Sequence, residues 1–421
     1  MKIFCSGIGG IGLSAYAALQ KQLGHEVSGS DREDSSLLDD LRSQGLTIYL
    51  EQDGKGVPDD CNLFVYSEAI DSDNPDRVRA RELGVREISY FKALGEVALD
   101  YRVIAVCGTH GKSTTTAMAA QALIDAGADP TIIVGTKLPI LDGRNWRKGN
   151  SEIFLLEACE YRRSFLNLSP DIVLITNVDG DHFDAFESVE DYQDAFREFI
   201  APVPDDGAII FHGDDEAALS VASTRENIIN ADTYDRPVLS VPGVHMQENA
   251  KLVVALADHL SLGDVSASLK AFTGTWRRME IKGEMAGGIT VIDDYAHHPV
   301  EIMATVAAAK ELYPDRRIVC LYQPHLHERT HRFYDQFPPS FNGFDVVVLS
   351  DIYEARSEVS NPADSKQFAK DLDAGFDGQC VYGGSLEASE KMLKESILQP
   401  SDVLIVMGAG DVTNVALSIL A

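Results

Sequence analysis

An α/β chain of three units in series, each built on a mostly parallel sheet, is the fold class that the sequence predicts. Three observations carry it. Short apolar runs alternate with helical patterns from end to end. Two of those runs enter glycine-containing turns that open directly into a helix. At 421 residues the chain is also too long for one core. Breaks in the pattern place the units at 1–98, 99–283 and 284–421.

The first unit opens with KIFCS (2–6), a strand, followed by a glycine-rich turn and a helical stretch from Ile11 to about Leu23. HEVSGSD and LFVYS (63–67) supply further strands, and such alternation implies right-handed crossovers and parallel pairing. The second unit begins at RVIAVCGTHGKSTTTAMAAQALIDAG, which reads strand, loop, helix. EIFLLEA (152–158) and DIVLITNV (171–178) are apolar throughout, as strands covered on both faces must be, and GAIIFHGDD (207–215) adds another. After TWRRMEIKGE comes the third unit. ITVIDDYAHHP is a strand ending in charged and imidazole groups, MATVAAAKELY a helix, and RIVCLYQPH, DVVVLSDIYEA and DVLIVMGAG are strands.

Hydrophobic residues make up 45% and charged residues 24% of the chain, ordinary values for a globular protein. Lys and Arg number 36 against 66 Asp and Glu, so the net charge is 36 − 66 = −30. A surface of that sign repels a phosphodiester backbone, and no basic run offsets it, so the expectation is no nucleic-acid partner. Nucleotides are still admissible, because backbone N–H groups and one or two cations can hold a phosphate locally. The six cysteines (Cys5, Cys61, Cys107, Cys159, Cys320, Cys380) form no CxxC pair and lie mostly in apolar runs, a usage that suits a reducing cytosol. No stretch approaches the roughly 18–20 apolar residues of a membrane span, and the chain opens on a strand rather than a secretory signal. The expectation is a cytoplasmic protein without membrane insertion, monomeric or homodimeric.

Gly108-Thr109-His110-Gly111-Lys112-Ser113-Thr114 lies between an apolar strand and an Ala-rich helix. N–H groups at a helix start attract phosphate, Gly111 lets the backbone approach, Lys112 neutralises charge, and the Ser113 hydroxyl suits Mg²⁺. The full P-loop pattern asks for a glycine where Val106 stands, so the strand–G–x–x–G–K–S–helix context carries the reading. A glycine-rich turn with a surface lysine is the plain alternative. Near the N-terminus, Gly7, Gly9, Gly10 and Gly12 lie in the GIGGIG stretch, of which Gly7, Gly9 and Gly12 form GxGxxG, again between strand and helix, and Asp31 follows 19 residues after Gly12. Alone this pattern fits a nicotinamide dinucleotide, another nucleotide diphosphate, or a purely structural turn. Two phosphate loops in one chain favour phosphoryl transfer onto a nucleotide-tagged substrate over hydride transfer.

Glu157 ends the strand EIFLLEA, where an open α/β sheet faces its ligand, and could complete a magnesium shell with Ser113; a capping or loop acid is the alternative. His182, in TNVDGDH, could bind a second metal or polarise a phosphate, or be structural. Asp293-Asp294-Tyr295-Ala296-His297-His298 gathers two acids, a phenol and two imidazoles at a strand end, a density that points to a site. Arg277 and Arg278 could clamp phosphates or form a solvated basic pair.

GIGGIG, GTHGKSTTT, EACEYRRSFL, TNVDGDHFD, WRRME, DDYAHHP, YQPHLHERT and MGAGD stand in the order found in the Mur ligases, and the chain resembles that family over nearly its whole length. The resemblance implies an N-terminal Rossmann-like domain for a UDP-linked substrate, a central P-loop ATPase domain and a C-terminal Rossmann-like domain. GIGGIG, EACEYRRSFLNLSP (157–170) and DDYAHHPVEI (293–302) are most similar to the alanine-adding branch. Sister branches carry a lysine that becomes carbamylated, where alignment on YQDAF puts Phe196 here. The tripeptide-recycling branch shares EY after the metal acid but usually lacks the SFLxLxP continuation.

Carried over residue by residue, the resemblance puts the Gly108–Thr114 loop and Lys112 on ATP, and Mg²⁺ on Ser113 and Glu157. It puts His182 on a second metal or the transferring phosphate, and Asn249 on adenine. Met246 stands where an asparagine is common. Arg278 and Asp294 would approach the phosphates and ribose. His297, His298 and Arg329 would lie near the amino acid, and Gly7, Gly9, Gly10, Gly12 and Asp31 near the UDP-linked substrate. The implied activity is an ATP- and Mg²⁺-dependent ligation of L-alanine to UDP-N-acetylmuramate through an acyl phosphate. Its rivals are the tripeptide-recycling ligase, a nicotinamide oxidoreductase, and a nucleotide-gated binding protein without catalysis.

Overall fold

The computed structural model describes residues 1–179, 185–354 and 361–420. Its described residues form three sheets. The first is fully parallel, from β1 (Lys2–Ser6), β2 (Glu26–Ser30), β3 (Thr47–Tyr49), β4 (Leu63–Tyr66) and β5 (Arg86–Ser89), in the order β3-β2-β1-β4-β5. The second holds β6 (Arg102–Cys107), β7 (Thr131–Leu138), β8 (Arg144–Arg147), β9 (Ile153–Glu157), β10 (Ile172–Ile175), β11 (Ala208–Phe211) and β12 (Ile228–Asn230). Its order is β12-β11-β10-β6-β9-β7-β8, parallel except for the β7–β8 hairpin. The third comprises β13 (Glu280–Met285), β14 (Ile289–Asp294), β15 (Ile318–Tyr322), β16 (Val346–Ser350), β17 (Gln379–Gly384) and β18 (Val403–Met407), ordered β13-β14-β18-β15-β16-β17. Here only β13 runs antiparallel.

The chain packs as two compact units, Met1–Ser240 with Gln247–Thr273, and Val241–Met246 with Gly274–Ala421. The first unit contains the first two sheets, so the border expected near 98 lies inside it. The edge expected at 283 falls within β13, whose pairing with β14 starts the third sheet at Glu280. β13 is hidden in the sequence because Glu280, Lys282 and Glu284 interrupt any apolar run; an edge strand needs only one covered face. The charged hairpin strand β8 was missed for the same reason.

Two central strands of the second sheet are covered on both faces. Val103 to Cys107 of β6 and Ile172 to Ile175 of β10 are each at most 1% exposed, which explains their unbroken apolar sequence. Beside them Tyr192, Phe165, Phe196 and Phe199 form a buried aromatic cluster, with Phe165 edge-on to Phe196 at 5.3 Å and stacked on Phe199 at 4.4 Å. Phe196 is thus a core side chain. Among the described residues no helix is long and apolar enough to cross a membrane, and all six cysteines are free.

A buried carboxylate sets the ends of β1 and β2. Asp76, fully inaccessible, accepts from the Ser6 and Ser30 hydroxyls at 3.1 and 2.5 Å and from the Gly54 N–H at 2.9 Å. Those serines are the last residues of the two strands that lead into Gly7 and Asp31. Replacing Asp76 by alanine strands three donors away from water. The expected loss in a chemical-denaturation experiment is about 3 kcal/mol for the first transition, and a loss below about 1 kcal/mol contradicts this role.

Candidate functional site

The loop after β6 is held from below by the segment after β10. Thr109 N–H donates to the Asn177 carbonyl (3.1 Å) and His110 N–H to Asn177 Oδ1 (2.9 Å). Thr176 Oγ1 and Asn177 Nδ2 both donate to the His110 carbonyl, at 2.6 and 3.0 Å. Thr109 Oγ1 lies 2.9 Å from the buried Tyr192 hydroxyl and accepts from Asp179 N–H at 2.9 Å. The loop is therefore preformed. Gly111, at φ +83°, caps the helix Lys112–Asp125, and a Cβ there would sit 2.8 Å from Asn249 Oδ1. Only glycine satisfies both the left-handed backbone and the approach of Asn249.

Two acids flank Lys112 and Ser113. Ser113 Oγ donates to Glu157 Oε2 at 2.9 Å, and the Gly135 N–H donates to the same oxygen at 2.9 Å. Hydroxyl and carboxylate oxygens at this spacing at a strand end suit a hard divalent cation. Lys112 Nζ donates to the Gly108 and Thr109 carbonyls (2.6 and 3.1 Å) and pairs with Glu160 at 3.0 Å. Burial by itself would lower the Lys112 pKa; the Glu160 charge, with Cys159 and Glu157 adding, turns the shift upward and keeps the ammonium charged. Thr114, 5% exposed, begins the buried face of the helix.

A further group of potential metal ligands, His212, Asp232 and Glu248, lies in the same unit. Lys251 already supplies its cation, with Nζ 2.7 Å from Asp232 and 2.5 Å from Glu248.

The N-terminal glycine turn closes on itself. Gly7 and Ile8 N–H groups donate to the Ser30 carbonyl (2.8 and 3.0 Å), Gly9 N–H to Asp31 Oδ2 (2.8 Å), and Gly10 N–H to the Gly7 carbonyl (3.2 Å). Gly12 serves packing, since a Cβ there would meet the Tyr90 ring at 2.8 Å. From the neighbouring sheet the Asn145 side chain donates to the Ile11 carbonyl, fixing the start of the helix Ile11–Gln22.

In the second unit the acid and imidazole cluster divides by role. Asp294, 4% exposed, accepts from Met279 N–H (2.7 Å), Ala296 N–H (2.8 Å) and Thr305 Oγ1 (3.2 Å), so both oxygens brace the exit of β14. Burial raises its pKa against the pull of Arg278. Arg277, also 4% exposed, pairs with Asp293 at 3.4 Å and donates to the Gly408 and Gly410 carbonyls. Arg278 instead lies 3.7 Å from Glu301 and over the Tyr295 ring. His298 caps the helix Pro299–Leu312, its Nδ1 accepting from Val300 N–H at 3.4 Å, and its ring meets Phe333 edge-on.

His297 occupies a different setting. Its Nδ1 lies 3.1 Å from the Tyr295 carbonyl and 3.2 Å from Glu301 Oε2, and its ring is edge-on to His325 at 5.7 Å. His325 stacks on Tyr353, and its Nδ1 is 3.1 Å from Arg329 NH1. Burial drives the His297 pKa down to about 4, with Arg329 and Arg278 adding and Glu301 opposing. Near neutrality the ring is uncharged.

The loop Gly108–Thr114, Glu157 and Asn249 are thus brought together in the first unit. His297, Arg278 and Arg329 share one cluster of the second. His182 lies outside the described residues. Asn177, Glu160, Glu301 and His325 were not singled out in the sequence. Asn177 sits inside TNVDGDH and Glu160 inside EACEY, but nothing in one sequence says that a side chain there turns inward.

Three family models match in chain order: "Mur ligase family, catalytic domain" over residues 2–102, "Mur ligase middle domain" over 106–237, and "Mur ligase, glutamate ligase domain" over 277–410. The UDP-N-acetylmuramate–L-alanine ligase of Clostridium novyi (strain NT) is 37% identical, over 98% of this chain and 96% of that one. A crystal structure of UDP-N-acetylmuramate–alanine ligase from Thermotoga maritima superimposes with a TM-score of 0.84 at 28% identity, covering 100% of this chain and 98% of that one. A murein peptide ligase from Psychrobacter arcticus shares the fold, with a TM-score of 0.75 at 23% identity and the same coverage. Since the three sheets, the order of the loops and this likeness all extend over the full length, the chain belongs to the Mur ligase family.

Proposed function

We propose that the chain is an ATP-dependent ligase that joins L-alanine to the carboxylate of UDP-N-acetylmuramate, a step in building peptidoglycan precursors. The observation that carries this reading is the preformed loop that sets Lys112 and the Ser113–Glu157 pair at the start of one helix, in a chain 37% identical to an alanine-adding ligase over 98% of its length.

A carboxylate does not condense with an amine in water, because its oxygen is a poor leaving group. Phosphorylation of that carboxylate by ATP gives an acyl phosphate; the amine attacks its carbonyl carbon and phosphate departs. In this reading the loop N–H groups and Lys112 hold the ATP phosphates and spread the charge of the transferring group. Ser113 and Glu157 hold Mg²⁺, which would screen the phosphate oxygens. Asn249, packed on Gly111, would meet the base. The UDP-linked substrate belongs to the N-terminal glycine turn.

In this reading the amine of the amino acid meets His297. Its Nδ1–H is taken up by the Tyr295 carbonyl and Glu301, which leaves the Nε2 lone pair to accept a hydrogen bond from that amine. His298, whose Nδ1 caps a helix, keeps a structural task. Arg329 supplies the positive charge that an amino-acid carboxylate needs. The free cysteines and a nucleotide-linked substrate support a cytoplasmic location.

The deciding experiment is phosphate release with ATP, Mg²⁺ and UDP-N-acetylmuramate, adding single amino acids or the L-Ala–γ-D-Glu–diaminopimelate tripeptide. Stimulation by L-alanine with a product one alanyl residue heavier is expected; stimulation by the tripeptide alone, or by nothing, defeats the proposal. Glu157→Gln should lower turnover by about 10²–10³-fold and raise the Mg²⁺ concentration needed, and an unchanged Mg²⁺ requirement removes Glu157 from the metal. Because His297 must be neutral to act and its pKa lies near 4, kcat/KM for L-alanine should show no acid limb around the ordinary histidine value of 6.5. A limb there that His297→Gln abolishes would contradict this setting.

A further inference from the structure

The turn after β9 carries a second acid that the ligation chemistry does not use. Glu160 is wholly inaccessible, and its two carboxylate oxygens lie 3.1 and 3.0 Å from Lys112 Nζ. The ammonium also donates to the Gly108 and Thr109 carbonyls, so it is folded back onto the loop that would cradle phosphates. To bring Glu160 inward the chain accepts two consecutive left-handed residues with side chains, Arg162 at φ +50° and Arg163 at φ +57°. The turn is closed by Arg163 N–H to the Glu160 carbonyl (2.8 Å) and Phe165 N–H to the Cys159 carbonyl (2.9 Å). Arg163 is anchored on its far side by Asp191 and Glu198. Strained backbone and a buried charge are both unfavourable, and an apolar residue at 160 would avoid the second.

We propose that Glu160 is the counter-ion of the phosphate-loop lysine: a positioning residue that parks the Lys112 ammonium inside the loop until nucleotide phosphates draw it away. The inference rests on the reading of Gly108–Thr114 as an ATP site. Glu160 balances Lys112, and Glu157 together with Asp179, whose N–H donates to Thr109 Oγ1, keeps the surroundings of the loop acidic. A bare polyphosphate meets repulsion there, whereas its Mg²⁺ complex does not. Glu160 thereby makes nucleotide binding depend on the divalent cation, so that ATP enters already complexed.

The test is calorimetric titration of the full-length protein with ADP, with and without Mg²⁺, for wild type, Glu160→Gln and Glu160→Asp. Glu160→Gln should tighten metal-free ADP by about tenfold and MgADP by less, shrinking the ratio between the two, while Glu160→Asp keeps the wild-type ratio. An unchanged ratio in Glu160→Gln overturns the counter-ion role and leaves the ATP site standing. Wild type that binds neither form overturns the ATP site and with it the proposal. Should Glu160→Gln not fold, melting temperatures decide. Lys112→Met alone should lower the melting temperature, and Glu160→Gln added to it should raise it again; additive losses overturn the pairing.

Discussion

A polyphosphate carries several negative charges, and this chain carries thirty in excess of its own. Binding one therefore depends on groups concentrated at a single point: the N–H groups of a helix start, one ammonium, and oxygens fit for a metal. In the proposed reading the junction of β6 with the helix Lys112–Asp125 is that point, and much of the first unit can be understood as support for it. β6 lies between β10 and β9, so the segments leaving both neighbours reach the loop. From β10 come Thr176 and Asn177, which pin its backbone; from β9 come Glu157 and Glu160, which supply its acids. Parallel order brings all three strand ends to the same side, and that is why residues 108, 157 and 177 can meet.

Two acids three residues apart on one strand exit do opposite things to charge. Glu157 points to the Ser113 hydroxyl and invites a cation; Glu160 points to Lys112 and consumes one. Both ends of the arrangement are defined by backbone geometry, through glycine at 111 and through the two left-handed arginines at 162 and 163. Charge and strain thus collect in the same few residues, as expected where a loop must hold its shape before a ligand arrives.

Much of the fold was legible in the sequence because strands covered on both faces are built on mostly apolar runs, as β6, β9, β10, β14, β15, β16 and β18 are. Among the strands that escaped are β8 and β13, whose charges hide the period. The site was legible where chemistry is carried by residue type and spacing, as in Gly108–Ser113 and Glu157. It was not legible where direction matters. Neighbouring His297 and His298 are alike as letters. Yet one sits among Glu301, His325 and Arg329 while the other caps a helix against Phe333, because successive residues at a helix start point to different sides. Asp293 and Asp294 likewise divide, one paired with Arg277 and the other bracing backbone N–H groups.

The N-terminal turn shows how a pattern can be present while its usual use is not. GxGxxG was compatible with a nicotinamide dinucleotide, in which loop N–H groups face the pyrophosphate and the acid after the second strand holds a ribose. Here Asp31 turns back to accept from Gly9, and the Gly7 and Ile8 N–H groups are spent on the Ser30 carbonyl. The loop is tied to β2 by those bonds and to β8 through Asn145 and the Ile11 carbonyl. A diphosphate approaching this turn meets the first turn of the helix Ile11–Gln22, whose N–H groups have no partner further back in that helix. That geometry offers a diphosphate backbone N–H groups without calling on Asp31, which is compatible with the proposed UDP-linked substrate.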